Sequence, residues 1–90
     1  MHPHVQRNEQ HSRFEITIDG ATAIAEYHYR GDTMVLPHTL VPPSLRGRGL
    51  AGLLIEAALQ AARKEGRKVD PQCSFVARYI EQHPEVQDLV

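Results

Sequence analysis

The sequence predicts an α/β fold (α+β by layer) in which a mostly antiparallel sheet of four strands carries two helices. Three observations lead there. Alternating apolar and polar segments flank an Asp19-Gly20 pair, a dipeptide suited to a tight hairpin. A long leucine and alanine stripe at helical spacing follows Pro42-Pro43. A short fourth strand then completes a strand–helix–strand crossover, which makes the strands on either side of the long helix parallel, and a second amphipathic segment follows.

The elements follow in chain order. "RFEITI" (13–18) alternates Phe14, Ile16 and Ile18 with polar residues and reads as a half-buried strand. "ATAIAEYHYR" (21–30) is a second strand, with Ala23, Ala25, Tyr27 and Tyr29 on one side. Gly31-Asp32 turns the chain into "TMVLPHTLV" (33–41), whose apolar residues on both faces predict a central strand. Pro37 has no N–H to give a neighbour, so it predicts a bulge or a local break in pairing. The long helix presents Leu50, Leu53, Leu54, Ala57, Ala58 and Ala61 to the core, and Gly66 stands where a left-handed cap ends it. "RKVDPQC" (67–73) is the fourth strand, and "SFVARYIEQ" (74–82) the second helix, with Phe75, Val76, Tyr79 and Ile80 inward. His83-Pro84 stops that helix, and the remaining residues read as an irregular tail.

Composition bounds the function. Ninety residues, 41% hydrophobic and 23% charged with a net charge of -1, make one domain of soluble type. A single cysteine excludes an internal disulfide and suits a reducing compartment, so cytoplasm is the expected location, with no membrane association. A core this small predicts a monomer or a weak homo-oligomer. Residues 1–12 read as a flexible N-terminal tail, and 13–90 as the domain. His2, His4 and His11 have irregular spacing and no cysteine or acidic cluster nearby, so they do not predict a metal site.

Charge is unevenly placed. Residues 44–68 hold six basic residues against two acidic ones, and acidic residues outnumber basic ones on both sides. A basic centre in a weakly acidic chain disfavours a nucleic-acid partner, which calls for a basic domain. It suits a small phosphate-bearing ligand. In "LRGRGLAG", Gly47 and Gly49 let the backbone approach phosphate oxygens, Arg46 and Arg48 supply charge, and the loop opens onto a helix start. The glycine spacing is neither the dinucleotide fingerprint nor a P-loop.

Read as Arg46-x-x-Gly49-x-Ala51, this loop resembles the R/Q-x-x-G-x-G/A motif of the GNAT superfamily of acyl-CoA-dependent N-acyltransferases. "HTLVPPSLRGRGLAGLL" together with "CSFVARYI" is similar to the minimal single-domain branch of that superfamily, and the likeness spans residues 13–85. The resemblance implies that the sheet is splayed between its two parallel strands and that the loop amides, Arg46 through Ala51 with Gly47, Arg48, Gly49 and Leu50, hold the pyrophosphate of acetyl-CoA or coenzyme A. Leu40 and Val41 would offer backbone groups to the pantetheine arm. It also implies transfer of an acetyl group to an amine acceptor, with no metal.

Cys73, at the junction of the fourth strand and second helix, is the candidate nucleophile, because a helix start favours a thiolate. A small buried hydrophobe is the competing reading. His38 is the candidate base for the amine or for the Cys73 thiol, against a core histidine bonded to backbone. Direct transfer and passage through acetyl-Cys73 both stay open. Glu26 could act as a base only if it faced the cleft, His28 reads as a sheet-face residue, and Tyr79 reads as core rather than as an adenine platform. Larger superfamily members carry additional segments around the acceptor, so a non-catalytic coenzyme A-binding module is the second reading.

Overall fold

The computed structural model describes residues 4–90; His2 lies outside them. Five strands form one sheet in the order β1 (Gln6–Asn8), β2 (Arg13–Ile18), β3 (Ala21–Arg30), β4 (Thr33–Leu40) and β5 (Lys68–Asp70). All neighbours are antiparallel except β4 and β5, which run parallel. Between them lie a 3-10 turn, Pro43–Leu45, and the helix α1 (Leu50–Lys64). Helix α2 (Ser74–Gln82) and a 3-10 segment, Pro84–Leu89, follow β5. The predicted fold class holds, with one strand more than expected.

That strand, β1, falls in the segment read as a flexible tail. Three residues are too few to display alternation, and their pairing is tertiary in origin. The Arg7 guanidinium donates to the Glu65 carboxylate at 2.7 Å, to the Tyr29 hydroxyl at 2.8 Å and to the Tyr27 hydroxyl at 3.2 Å. It also lies 4.9 Å from the Tyr27 ring centroid. Glu65 accepts further bonds from Tyr29 and Arg67, so one cluster ties β1 and β3 to the end of α1.

The core forms where β2 and β3 turn Phe14, Ile16, Ala23, Ala25 and Tyr27 toward α1. Asp19 and Gly20 both take positive φ, as a two-residue hairpin turn between these strands requires. The alanines of β3 leave room for α1 to lie close to the sheet. Its fully buried residues are Leu50, Leu54, Ile55, Ala58, Leu59 and Ala62. Leu53, Ala57 and Ala61 are only partly buried, so the inward stripe is rotated by about one residue from the sequence reading. The C-terminal residues are not an irregular tail: Val86 and Leu89 are buried, and Arg63 grips the Asp88 carboxylate with both terminal nitrogens.

Pro37 marks a bulge. Glu26 pairs with His38 and His28 with Val35, so three steps along β4 match two along β3. Side-chain direction shifts there. Met34 and Leu36 face the core, and beyond the bulge it is Thr39 that does so, while His38 is exposed.

Arg7→Ala is expected to cost about 2 kcal/mol at neutral pH in urea denaturation, the loss of a charged hydrogen-bond hub and its ring contacts. The hydrogen bond from Arg7 leads the causes that hold Glu65 below its ordinary value of 4.5. Its contribution is therefore full above that value and fades as pH falls through the lower folded-state pKa. The stability gap between wild type and Arg7→Ala should narrow in acid.

Candidate active-site cleft

After Val35 pairs with Asp70, one further bond joins the strands, from the Cys73 N–H to the Leu36 carbonyl at 3.0 Å. Beyond it β4 and the chain leading into α2 part. A cleft of about 480 Å³ opens there, lined by Thr39, Leu40 and Val41 from β4 and its end, by Leu45 to Ala51 in part, and by Phe75 of α2.

The loop side is built by φ angles. Gly47 and Gly49 sit at φ +80° and +74°, and neither would clash if given a β-carbon, so conformation rather than space requires glycine. Gly49 is the N-cap of α1, and no side chain caps it. The N–H groups of the first turn are thereby left for a ligand, and no acidic residue in that turn opposes an anion. Buried Leu45 anchors the 3-10 turn, and Arg46 Nε donates to the Val41 carbonyl at 3.1 Å, closing the loop on itself. The backbone and charge match what a pyrophosphate needs.

Of the residues chosen from sequence, Leu40, Val41, Arg46, Gly47, Gly49, Leu50 and Ala51 line the cleft. Arg48 is an exposed loop residue outside the lining, and the Val41 carbonyl is already engaged by Arg46. Thr39, Leu45 and Phe75 are additional lining residues. Phe75, expected inward, is 57% exposed at the mouth, where the first turn of α2 passes the cleft.

Cys73 is the N-cap of α2 and is half-buried. Its sulfur lies 3.6 Å from the Thr39 hydroxyl, which is itself buried and reaches the cleft. Burial alone would push the thiol up. The Thr39 hydroxyl and the backbone N–H groups of Val76, Phe75 and Thr39 outweigh it, and the thiol is held below its ordinary value. His38 is not brought to this thiol. The bulge leaves it on the sheet face away from the helices, opposite Glu26, so the proposed Cys73–His38 pair is replaced by Cys73–Thr39. Strict alternation from Met34 and Leu36 would have predicted His38; Pro37 was the available warning. His28 is exposed, as expected.

A family profile for the GCN5-related N-acetyl-transferases matches residues 13–89. The chain belongs to this family. As a GCN5-related protein it is 34% identical over 83 residues to Protein NATD1 of Mus musculus, covering 89% of this chain and 76% of that one. It is 33% identical to the Homo sapiens protein of the same name, over 89% of this chain and 74% of that one. A solution structure of a Staphylococcus aureus protein described as GCN5-like superposes with a TM-score of 0.76 at 27% identity, over 96% of this chain and 85% of that one.

In this member of the family, Thr39→Val should move the midpoint of Cys73 alkylation to higher pH and slow the reaction at neutral pH, whereas Thr39→Ser should leave both near wild type. Iodoacetamide labelling followed by mass spectrometry across a pH series reads this directly. Gly49→Ala places a β-carbon at positive φ and should lower stability by about 1 kcal/mol in thermal or urea melts.

Proposed function

We propose that the protein binds acetyl-CoA, or a close thioester relative, and transfers its acyl group to an amine. The observation that carries this reading is the continuity of the cleft. An uncapped helix start with two left-handed glycines lies at one end, and a thiol with a stabilised thiolate lies beside the other. The first-turn N–H groups and Arg46 would take the pyrophosphate, and the apolar walls formed by Leu40, Val41 and Leu50 would suit the pantetheine arm. Coenzyme A supplies the activated thioester when bound.

Two routes use these residues. In one, the Cys73 thiolate attacks the acyl carbon, the coenzyme leaves as its thiolate and takes a proton, and an amine then takes the acyl group from sulfur, restoring the Cys73 thiol. In the other, the amine attacks the bound thioester directly, and Thr39 and Cys73 shape the inner wall. The acceptor is an amine of unassigned class in both. The exposure of His38 on the far face leaves no imidazole beside the thiol among the described residues, and that favours a second reading: a coenzyme A-binding subunit or sensor that does not turn over.

Intact mass measured after incubation with acetyl-CoA, on wild type and Cys73→Ala, separates these readings when paired with coenzyme A calorimetry. A gain of one acetyl group that vanishes in Cys73→Ala is the outcome expected of the thiol route. Binding without an adduct leaves direct transfer or the sensor. An absence of coenzyme binding would sink all of them.

A further inference from the structure

The turn that leads from β4 to the glycine loop satisfies its backbone acceptors in two different ways. Pro42 and Pro43 have no N–H to give, so the carbonyls around them must find other donors. The Leu45 N–H donates to the Pro42 carbonyl at 2.9 Å, and the Arg46 N–H donates to the Pro43 carbonyl at 3.3 Å. These bonds are the 3-10 turn itself and cannot be given up without unwinding it. The Val41 carbonyl is served by a side chain instead, Nε of Arg46 at 3.1 Å. Buried Leu45 pins the turn, whereas the Arg46 side chain is exposed and free to rotate. Of these three acceptors, the Val41 carbonyl is the one that can be handed to a ligand.

Both partners of that bond line the cleft. Val41 stands past the point where β4 loses β5, so its backbone runs beside the cleft with no strand on that side. An amide chain laid along this wall needs acceptors for its N–H groups, because an unpaired N–H among Leu40, Val41 and Leu50 is costly. Pantetheine is such a chain. In the free protein, Arg46 occupies an acceptor that it would use.

The guanidinium has a competing attraction. Its terminal nitrogens have no protein acceptor among the described residues, and it lies three residues before the Gly49 N-cap. A diphosphate at that helix start offers anionic oxygens in bidentate geometry. Those match a guanidinium better than one neutral carbonyl does.

We infer that Arg46 is an exchangeable latch that makes the cleft select thioester donors bearing a diphosphate. It blocks the Val41 carbonyl in the free protein, and a bound diphosphate draws it away and releases that carbonyl to a pantetheine amide. The inference rests on the coenzyme reading above and deepens it. That reading gives Arg46 to the diphosphate; the latch adds a penalty on any pantetheine thioester that lacks one, since it must displace the arginine uncompensated. Diphosphate and pantetheine then bind with positive coupling, and each tightens the other by the same factor. One exchanged hydrogen bond sets that factor at roughly threefold to tenfold.

NMR chemical-shift titration of the protein with pantetheine, inorganic diphosphate and coenzyme A tests the latch. In wild type, saturating diphosphate should tighten pantetheine roughly threefold or more. No change, or competition between the two, overturns the latch. Arg46→Ala should move two ligands in opposite directions: coenzyme A binds more weakly, while pantetheine binds about threefold more tightly and no longer responds to diphosphate. A loss for both ligands, or an unchanged pantetheine affinity, overturns the latch and leaves the coenzyme reading standing. Arg46→Lys keeps the charge without the Nε donor, so it should match Arg46→Ala toward pantetheine and bind coenzyme A more tightly than that variant. Failure of wild type to bind coenzyme A overturns the reading beneath, and the latch with it.

Discussion

Between Val35 and His38, β4 advances three residues while β3 advances two, and the inner end of the cleft depends on that mismatch. Side chains alternate strictly along a regular strand, so one extra residue reverses which of them face the core. Pro37 makes the reversal tolerable, because a bulged position needs no ladder N–H. Thr39 is thereby turned inward to the Cys73 sulfur, and His38 outward to the side of Glu26. The same stretch is where the pairing of β4 with β5 gives way to a single bond from Cys73 to Leu36. Without the bulge, an imidazole would be directed toward the thiol and the buried hydroxyl would be lost to solvent.

Helix α1 does two jobs that place different demands on its two ends. Its inward stripe, with Leu54, Ala58 and Ala62 wholly buried, fixes its axis against β3. Each large aliphatic side chain buried this way contributes about 1.5–3 kcal/mol, so several together outweigh the roughly 0.5–2 kcal/mol of one capping bond. The start of the helix can therefore forgo a capping side chain, and Gly49 leaves the first-turn N–H groups exposed. At the other end, Glu65 gathers Arg7, Tyr29 and Arg67, and Arg63 holds Asp88. The terminus that would bind a ligand is left open, while the opposite terminus is tied down on both sides.

Much of this was legible in the residues, and the parts that were not share a cause. The β2–β3 hairpin, the long helix, the parallel crossover and the glycine loop are local signals: a dipeptide, a period, a proline stop. Strand β1 is held by Arg7 reaching residues 20 and 58 positions away, which no local pattern displays. The burial of Val86 and Leu89 likewise depends on α1 and β5 offering Arg63 and Lys68 to the segment between them. Phe75 looked inward because its helical phase adjoins Val76, but it falls where α2 overhangs the cleft and has no layer above it. His38 was misplaced through a parity error that only the bulge register resolves.

Cys73 illustrates how a small fold can perturb a group without a dedicated partner. Here the causes are a hydroxyl one strand away and the start of a nine-residue helix, both already required by the architecture. The shift has opposite effects on two steps of thiol chemistry. A lowered thiol pKa raises the thiolate fraction at neutral pH, but it also makes the sulfur a weaker nucleophile and a better leaving group. A cysteine acylated in this setting would hand its acyl group on readily. In the two-step route, the arrangement of Thr39 and α2 around Cys73 therefore aids release to the acceptor at least as much as capture from the donor.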